Sequence, residues 1–166
     1  SFGLVRNVRA TAGMYSPAVI LLHQSTQGVE IADSEFFGSI YDGYDDFPAK
    51  NSSYQTRCIW MLVNKYNVVH DNYFHHCSKH SLDFDTHTVA SIAYDNEGHD
   101  LIQEGVFVEE EAEYNLVFNN TVYNAGAGIT TYALWEGISC SSSSFTAVCV
   151  HTNSIFCTVF VVLFCI

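Results

Sequence analysis

Apolar positions along the chain recur in a short register with no helical stripe. In three stretches an apolar residue is followed by a small polar one three positions later and by another apolar one two after that: Ile31/Ser34/Phe36, Val69/Asn72/Phe74 and Val117/Asn120/Val122. Around them, Tyr66 to Phe74 aligns with Tyr114 to Val122 at an offset of 48 residues with four identities. Gly28 to Phe36 is a weaker copy, 38 residues before the middle one. A strand precedes each copy, with Ile20 and Leu22 aligning with Cys58 and Trp60 and then with Val106 and Val108. The unit reads as strand, turn, short strand, Asn turn and apolar anchor, which makes one coil of a β-solenoid at roughly 20 to 25 residues per coil. The 48-residue offset then holds two coils, the intervening one carried by residues 81–85 and 90–94. The 38-residue offset holds one coil and a loop, placed near 41–56 where Gly, Pro, Asn and Asp supply turn chemistry.

A single coil cannot bury its apolar face, whereas stacked coils share a continuous core. The fold class predicted is therefore all-β, a right-handed parallel β-helix. Its Asn72 and Asn120 are expected to take left-handed turn conformations and to hydrogen-bond their equivalents in neighbouring coils, as scaffold. An antiparallel β-sandwich is the rival, but it does not predict the repeated Asn register.

Composition supports strands, with 10 Tyr, 12 Phe and only two Pro. The formal net charge is -12, and every charged side chain precedes residue 137. Such a surface repels nucleic acid and anionic membranes and attracts divalent cations, calcium being the candidate cofactor. Of six Cys, only Cys58 and Cys77 lie in the body, and they read as two buried thiols or as a disulfide. The domain reading is 1–136 for the solenoid and 137–166 for an apolar tail outside the fold. That tail is open to three readings: gene-model artefact, anchor signal or membrane segment. A membrane partner is expected only if the tail is a genuine segment. The chain opens on Ser1 and reads as a piece of a longer protein. Sequons at Asn51 and Asn119 point to secretion, hence an extracellular or cell-surface location.

The densest polar cluster runs from His75 to His87 and holds four of the eight His, with Lys79 and two Asp. On an alternating strand Leu82 and Phe84 point inward, while Asp83, Asp85 and His87 point outward in one row, spaced by about 6.6 Å. Two carboxylates and an imidazole on one face suit a charged-sugar substrate. Removing the proton beside a uronate carboxylate needs a base, an acid and a cation at the carboxylate. Candidate catalytic residues are His87, Asp85, Asp83 and His80, while Lys79 and His76 are candidates for substrate binding. Asp83 and Asp85 are the candidates to hold calcium. A merely solvated acidic face is the competing reading. A transition-metal site is a third reading, but His75 and His76 should point to opposite faces of a strand and cannot easily share one ion unless they lie in a turn. Glu109, Glu110, Glu111 and Glu113 read as a solvated charge run, and Glu104 as a residue able to face the Asp row from the next coil.

The Asn-Val-Val-x-Asp-Asn-x-Phe and Asn-Leu-Val-x-Asn-Asn-x-Val repeats resemble those of the pectin lyase-like right-handed β-helix superfamily, over about residues 18 to 133. The stretch from His80 to His87 is loosely similar to mannuronan (alginate) epimerases, which carry an Asp-Pro-His-Asp element for substrate binding and catalysis. Here Asp85 and His87 match, while Thr86 and Thr88 replace Pro and the second Asp. The Asn-Thr-Asp, Gly-His-Gly and Arg-Ile-Lys elements of polygalacturonases do not occur. The resemblance implies a carbohydrate-active protein acting on an acidic (uronate) polysaccharide as epimerase or lyase. The alternative is a non-catalytic β-helix module for glycan binding or cell-surface structure.

Overall fold

The computed structural model describes residues 2–12, 16–38, 56–109 and 111–131, with the backbone of 158–162. The chain winds as a right-handed parallel β-helix of about four turns. Parallel strands joined by crossovers take this hand almost without exception.

Each coil places one short strand on each of three stacks. The first stack is β1 (Gly3–Arg6), β4 (Val29–Ala32), β7 (Val68–His70), β10 (Ile92–Tyr94) and the start of β13 (Leu116–Tyr123). The second is β2 (Arg9–Thr11), β5 (Glu35–Phe37), β8 (Tyr73–His75), β11 (Glu97–His99) and the end of β13. The third is β3 (Ala18–His23), β6 (Arg57–Leu62), β9 (Leu82–Phe84), β12 (Glu104–Val108) and β14 (Ala127–Thr131). β15 (Thr158–Val162) lies antiparallel along β13. The loop near 41–56 falls outside the described residues except for Thr56, and so does most of 137–166.

The core follows from the strand period. Ile31, Val69, Ala93 and Val117 pair in register on the first stack, and Ile59, Leu82 and Val106 on the third, all pointing inward and buried. Phe36 and Phe74 stack inside the second, ring centroids 5.8 Å apart.

Two buried polar ladders close the corners. Asn72 Oδ1 accepts from the Ser34 N–H at 3.1 Å, Asn96 Oδ1 from Asn72 N–H at 3.1 Å, and Asn120 Oδ1 from Asn96 N–H at 3.1 Å. Asn67, Ser91 and Asn115 repeat the arrangement one corner earlier. The scaffold role expected for Asn72 and Asn120 holds, with one correction. The left-handed residue at the corner is the one before the ladder: Asn7, Asp33, Asp71, Asp95 and Asn119 all have φ near +50°. The ladder Asn turns its amide inward instead, where backbone carbonyls and neighbouring Asn satisfy it.

Of the two readings of Cys58 and Cys77 the disulfide is the one formed, with Cα atoms 5.7 Å apart. The register of the third stack is Ile20–Ile59 and Leu22–Met61, one residue away from the alignment with Cys58 and Trp60. A one-residue slip reverses the faces, so Trp60 points outward and Ile59 and Met61 fill the core. Among the described residues no helix is long and apolar enough to cross a membrane.

Candidate active site on the outer face of the third sheet

Because strand side chains alternate, one outward row crosses the third stack in register: Leu21, Trp60, Asp83, Phe107 and Thr130. Asp83 thus lies between two aromatic neighbours, and it is fully buried although it faces away from the core. Arg57, at the start of β6, spreads its guanidinium over the Trp60 ring, Cζ 4.2 Å from the centroid, and its Nε donates to Asp83 Oδ2. Even beside this cation, burial holds the Asp83 carboxyl above its usual range.

The turn before β9 supplies the next two groups. Its backbone is held by Lys79 N–H on Thr56 O and Ser81 N–H on Gly105 O, both at 3.0 Å, and the disulfide ties it to β6. His80 is 1% exposed and stacks on Phe107, centroids 4.7 Å apart. Its Nδ1 lies 2.9 Å from Glu104 Oε2 and its Nε2 3.9 Å from Asp83 Oδ2. The His80 contact lowers the Glu104 pKa against the effect of burial. Among the described residues neither ring nitrogen of His80 completes a well-aligned hydrogen bond, and neither does Asp83 Oδ1.

Asp85 and Glu109 follow β9 and β12 at equivalent places, and Glu109 N–H bonds back to Phe84 O at 2.8 Å. Their environments push them apart. Burial opposes ionisation of Asp85, but the Thr86 N–H (2.6 Å), the Thr86 hydroxyl (2.9 Å) and the Trp60 indole (2.7 Å) outweigh it and hold its pKa low. Glu109 lacks such donors. Burial first, then the charges of Asp83 and Asp85, raise its pKa to about 7, despite Lys79 Nζ at 3.6 Å. A carboxylate held ionised thus stands beside one that titrates near neutrality, an arrangement able to divide acid and base roles.

Lys79, His80, Asp83 and Asp85 therefore come together as one cluster. His87 does not join the expected outward row. β9 ends at Phe84, and Thr88 N–H bonds to Asp85 O at 3.0 Å, so alternation gives way to a turn. His87 has φ +57°, its side chain is 62% exposed, and its Nδ1 meets Glu111 Oε2 at 3.0 Å. His76 is also elsewhere. Its left-handed backbone turns it against His75, with Nδ1 atoms 2.6 Å apart, beside His99 and Asp100 on the second stack. His76 follows the end of β8 with a left-handed backbone, which is the turn exception to the opposite-face expectation for His75 and His76. Glu104 does join from the next coil. Arg57, Trp60 and Glu109 are the members missed from sequence. Glu109 stands 24 residues after Asp85, the coil length recorded by the Asn ladder, and that offset was the available signal.

Compared with family models, curated proteins and solved structures, the chain matches none. The pectin lyase-like resemblance therefore rests on the repeat residues alone.

Proposed function

We propose that this β-helix acts on an acidic, uronate-containing polysaccharide at the outer face of its third sheet, as epimerase or lyase. The observation that carries the reading is the pairing of Glu109, ionising near 7, with Asp85, held ionised, beside Lys79. Lys79 reaches the substrate carboxylate. Glu109 takes the proton from the adjacent ring carbon, and the electron pair moves into the carboxylate. In a lyase Glu109 returns that proton to the glycosidic oxygen as the carbon–oxygen bond breaks, leaving a double bond. In an epimerase a proton is delivered to the other face of the same carbon. Asp83 and His80 are too buried to touch a sugar and act as positioning residues, and His87, outside the cluster on Glu111, takes no part. An extracellular or cell-surface location fits the disulfide, since such bonds persist in oxidising compartments.

Stacked rings on the second sheet favour a second reading, that of a glycan-binding module. Phe37, His75, His99 and Tyr123 form a continuous stripe with centroid spacings of 5.1, 5.5 and 4.9 Å. Incubation with alginate and with pectate separates the two readings. Unsaturated ends, or solvent deuterium at the sugar carbon, support catalysis. Binding without either product leaves the module reading standing and removes the catalytic one.

A further inference from the structure

The geometry points to a zinc-class divalent metal site formed by His80, Asp83 and Glu109. It uses the same cluster as the proposed function, and because a metal-bound Glu109 carboxylate is not free to take a proton, the base role of Glu109 belongs to the metal-free chain.

The three residues each offer a ligand atom, and these atoms lie within 4.8 Å of one another. Donors on one ion stand at most about 4.2 Å apart at bond lengths near 2.1 Å. The Glu109 side chain follows the end of β12 and is not fully covered, so it has room to adjust toward an ion. Acidic clusters are common without ions, so His80 carries the case. A buried imidazole nitrogen without a hydrogen bond is costly, and His80 Nε2 is such a nitrogen, lying 3.9 Å from Asp83 Oδ2. The remaining nitrogen, Nδ1, faces Glu104 Oε2 at 2.9 Å. That carboxylate–imidazole pairing is the one that orients and strengthens metal-bound histidines. Asp83 keeps Oδ2 on Arg57 and still has the buried, unpartnered Oδ1 to offer.

The donor set decides the metal. One nitrogen and two carboxylates suit zinc or its transition-metal neighbours, whereas calcium takes six to eight oxygens. Calcium held by Asp83 and Asp85 is disfavoured for a further reason. Asp85 is already engaged by Thr86 and Trp60.

The test is zinc analysis of the full chain after dialysis against zinc chloride, beside its Glu109→Gln, His80→Gln and Glu104→Gln variants. The four cysteines after residue 137 can take zinc in every chain, so the difference from wild type is the readout. Wild type should hold one equivalent more than Glu109→Gln and His80→Gln, and excess calcium should not displace it. Glu104→Gln should weaken zinc affinity about 10- to 100-fold. Glu109 reaches solvent, so its variant serves even if His80→Gln fails to fold. Equal zinc in wild type and Glu109→Gln, or ready displacement by calcium, overturns the site. Zinc binding by a chain that, once stripped of metal, turns over no polyuronate removes the proposed function and leaves the metal site. Turnover by a chain that holds no such equivalent does the reverse.

Discussion

Replacing Glu109 by Gln should stabilise the fold, increasingly so as pH rises above about 4.5. The Glu109 carboxyl ionises near 4.5 in an unfolded chain and about 7 when folded, because it is partly buried beside Asp83 and Asp85. Its folded pKa is the higher one, so folding takes up a proton. The ionised form then costs stability that grows as pH rises from about 4.5 and is complete above about 7. At about 1.4 kcal/mol per tenfold change, the full penalty approaches about 3 kcal/mol. Residual exposure and loss of the Lys79 contact, worth under about 1 kcal/mol, trim the expected gain to about 1–3 kcal/mol. Urea unfolding of wild type and Glu109→Gln, both stripped of metal with chelator, should give equal stabilities at about pH 4.5 and a difference of that size at about pH 8. Glu35, Asp100 and Glu104 titrate in both proteins and cancel in the difference, while Asp85, which is coupled to Glu109, is held ionised by its donors across this range. Parallel stability curves across this range would refute the placement of Glu109 in the cluster.

Asn96→Leu removes a central rung, breaking the Asn96 amide bonds to Val69 O and Asn120 Oδ1 and the Asn72 bonds to Asn96 Oδ1. Stranding these buried groups should cost about 3–6 kcal/mol, a large share of a domain's stability, read as a lower urea midpoint. Cys77→Ser opens the 19-residue separation closed by the disulfide and should cost about 3 kcal/mol. It should also loosen the turn carrying Lys79 and His80, seen as faster hydrogen exchange there.

The solenoid was legible because its corners repeat a chemical pattern, an inward Asn after a left-handed Asp or Asn. The coil between the two clearest copies was legible only through 81–85 and 90–94, because Gly98 occupies the anchor position held by Phe74 in the neighbouring coil. Leu101 fills that space from the next turn, its Cδ1 3.7 Å from where a Gly98 Cβ would stand. An apolar pattern read along one strand cannot see a side chain supplied from elsewhere. The slip at Trp60 has a similar origin, since neighbouring coils differ by one residue in the third stack and alignment by apolar match chose the wrong face. Asp83 and His80 were legible as candidates, but their burial was not, because their cover comes from Arg57, Trp60 and Phe107 on adjacent coils. Glu109 was misread as part of a solvated run, because its neighbours in sequence are acidic while its neighbours in space are Lys79, Asp83 and Asp85.

Proton exchange at the uronate ring carbon, followed in deuterated water against pH for wild type and Glu109→Gln, tests the proposed chemistry most directly. A base must be ionised to act, so the wild-type rate should rise with pH through about 7, and the variant should lose about 100-fold or more. A variant that exchanges as fast as wild type, or a wild-type rate with no limb near 7, would contradict the assignment of Glu109 as the base.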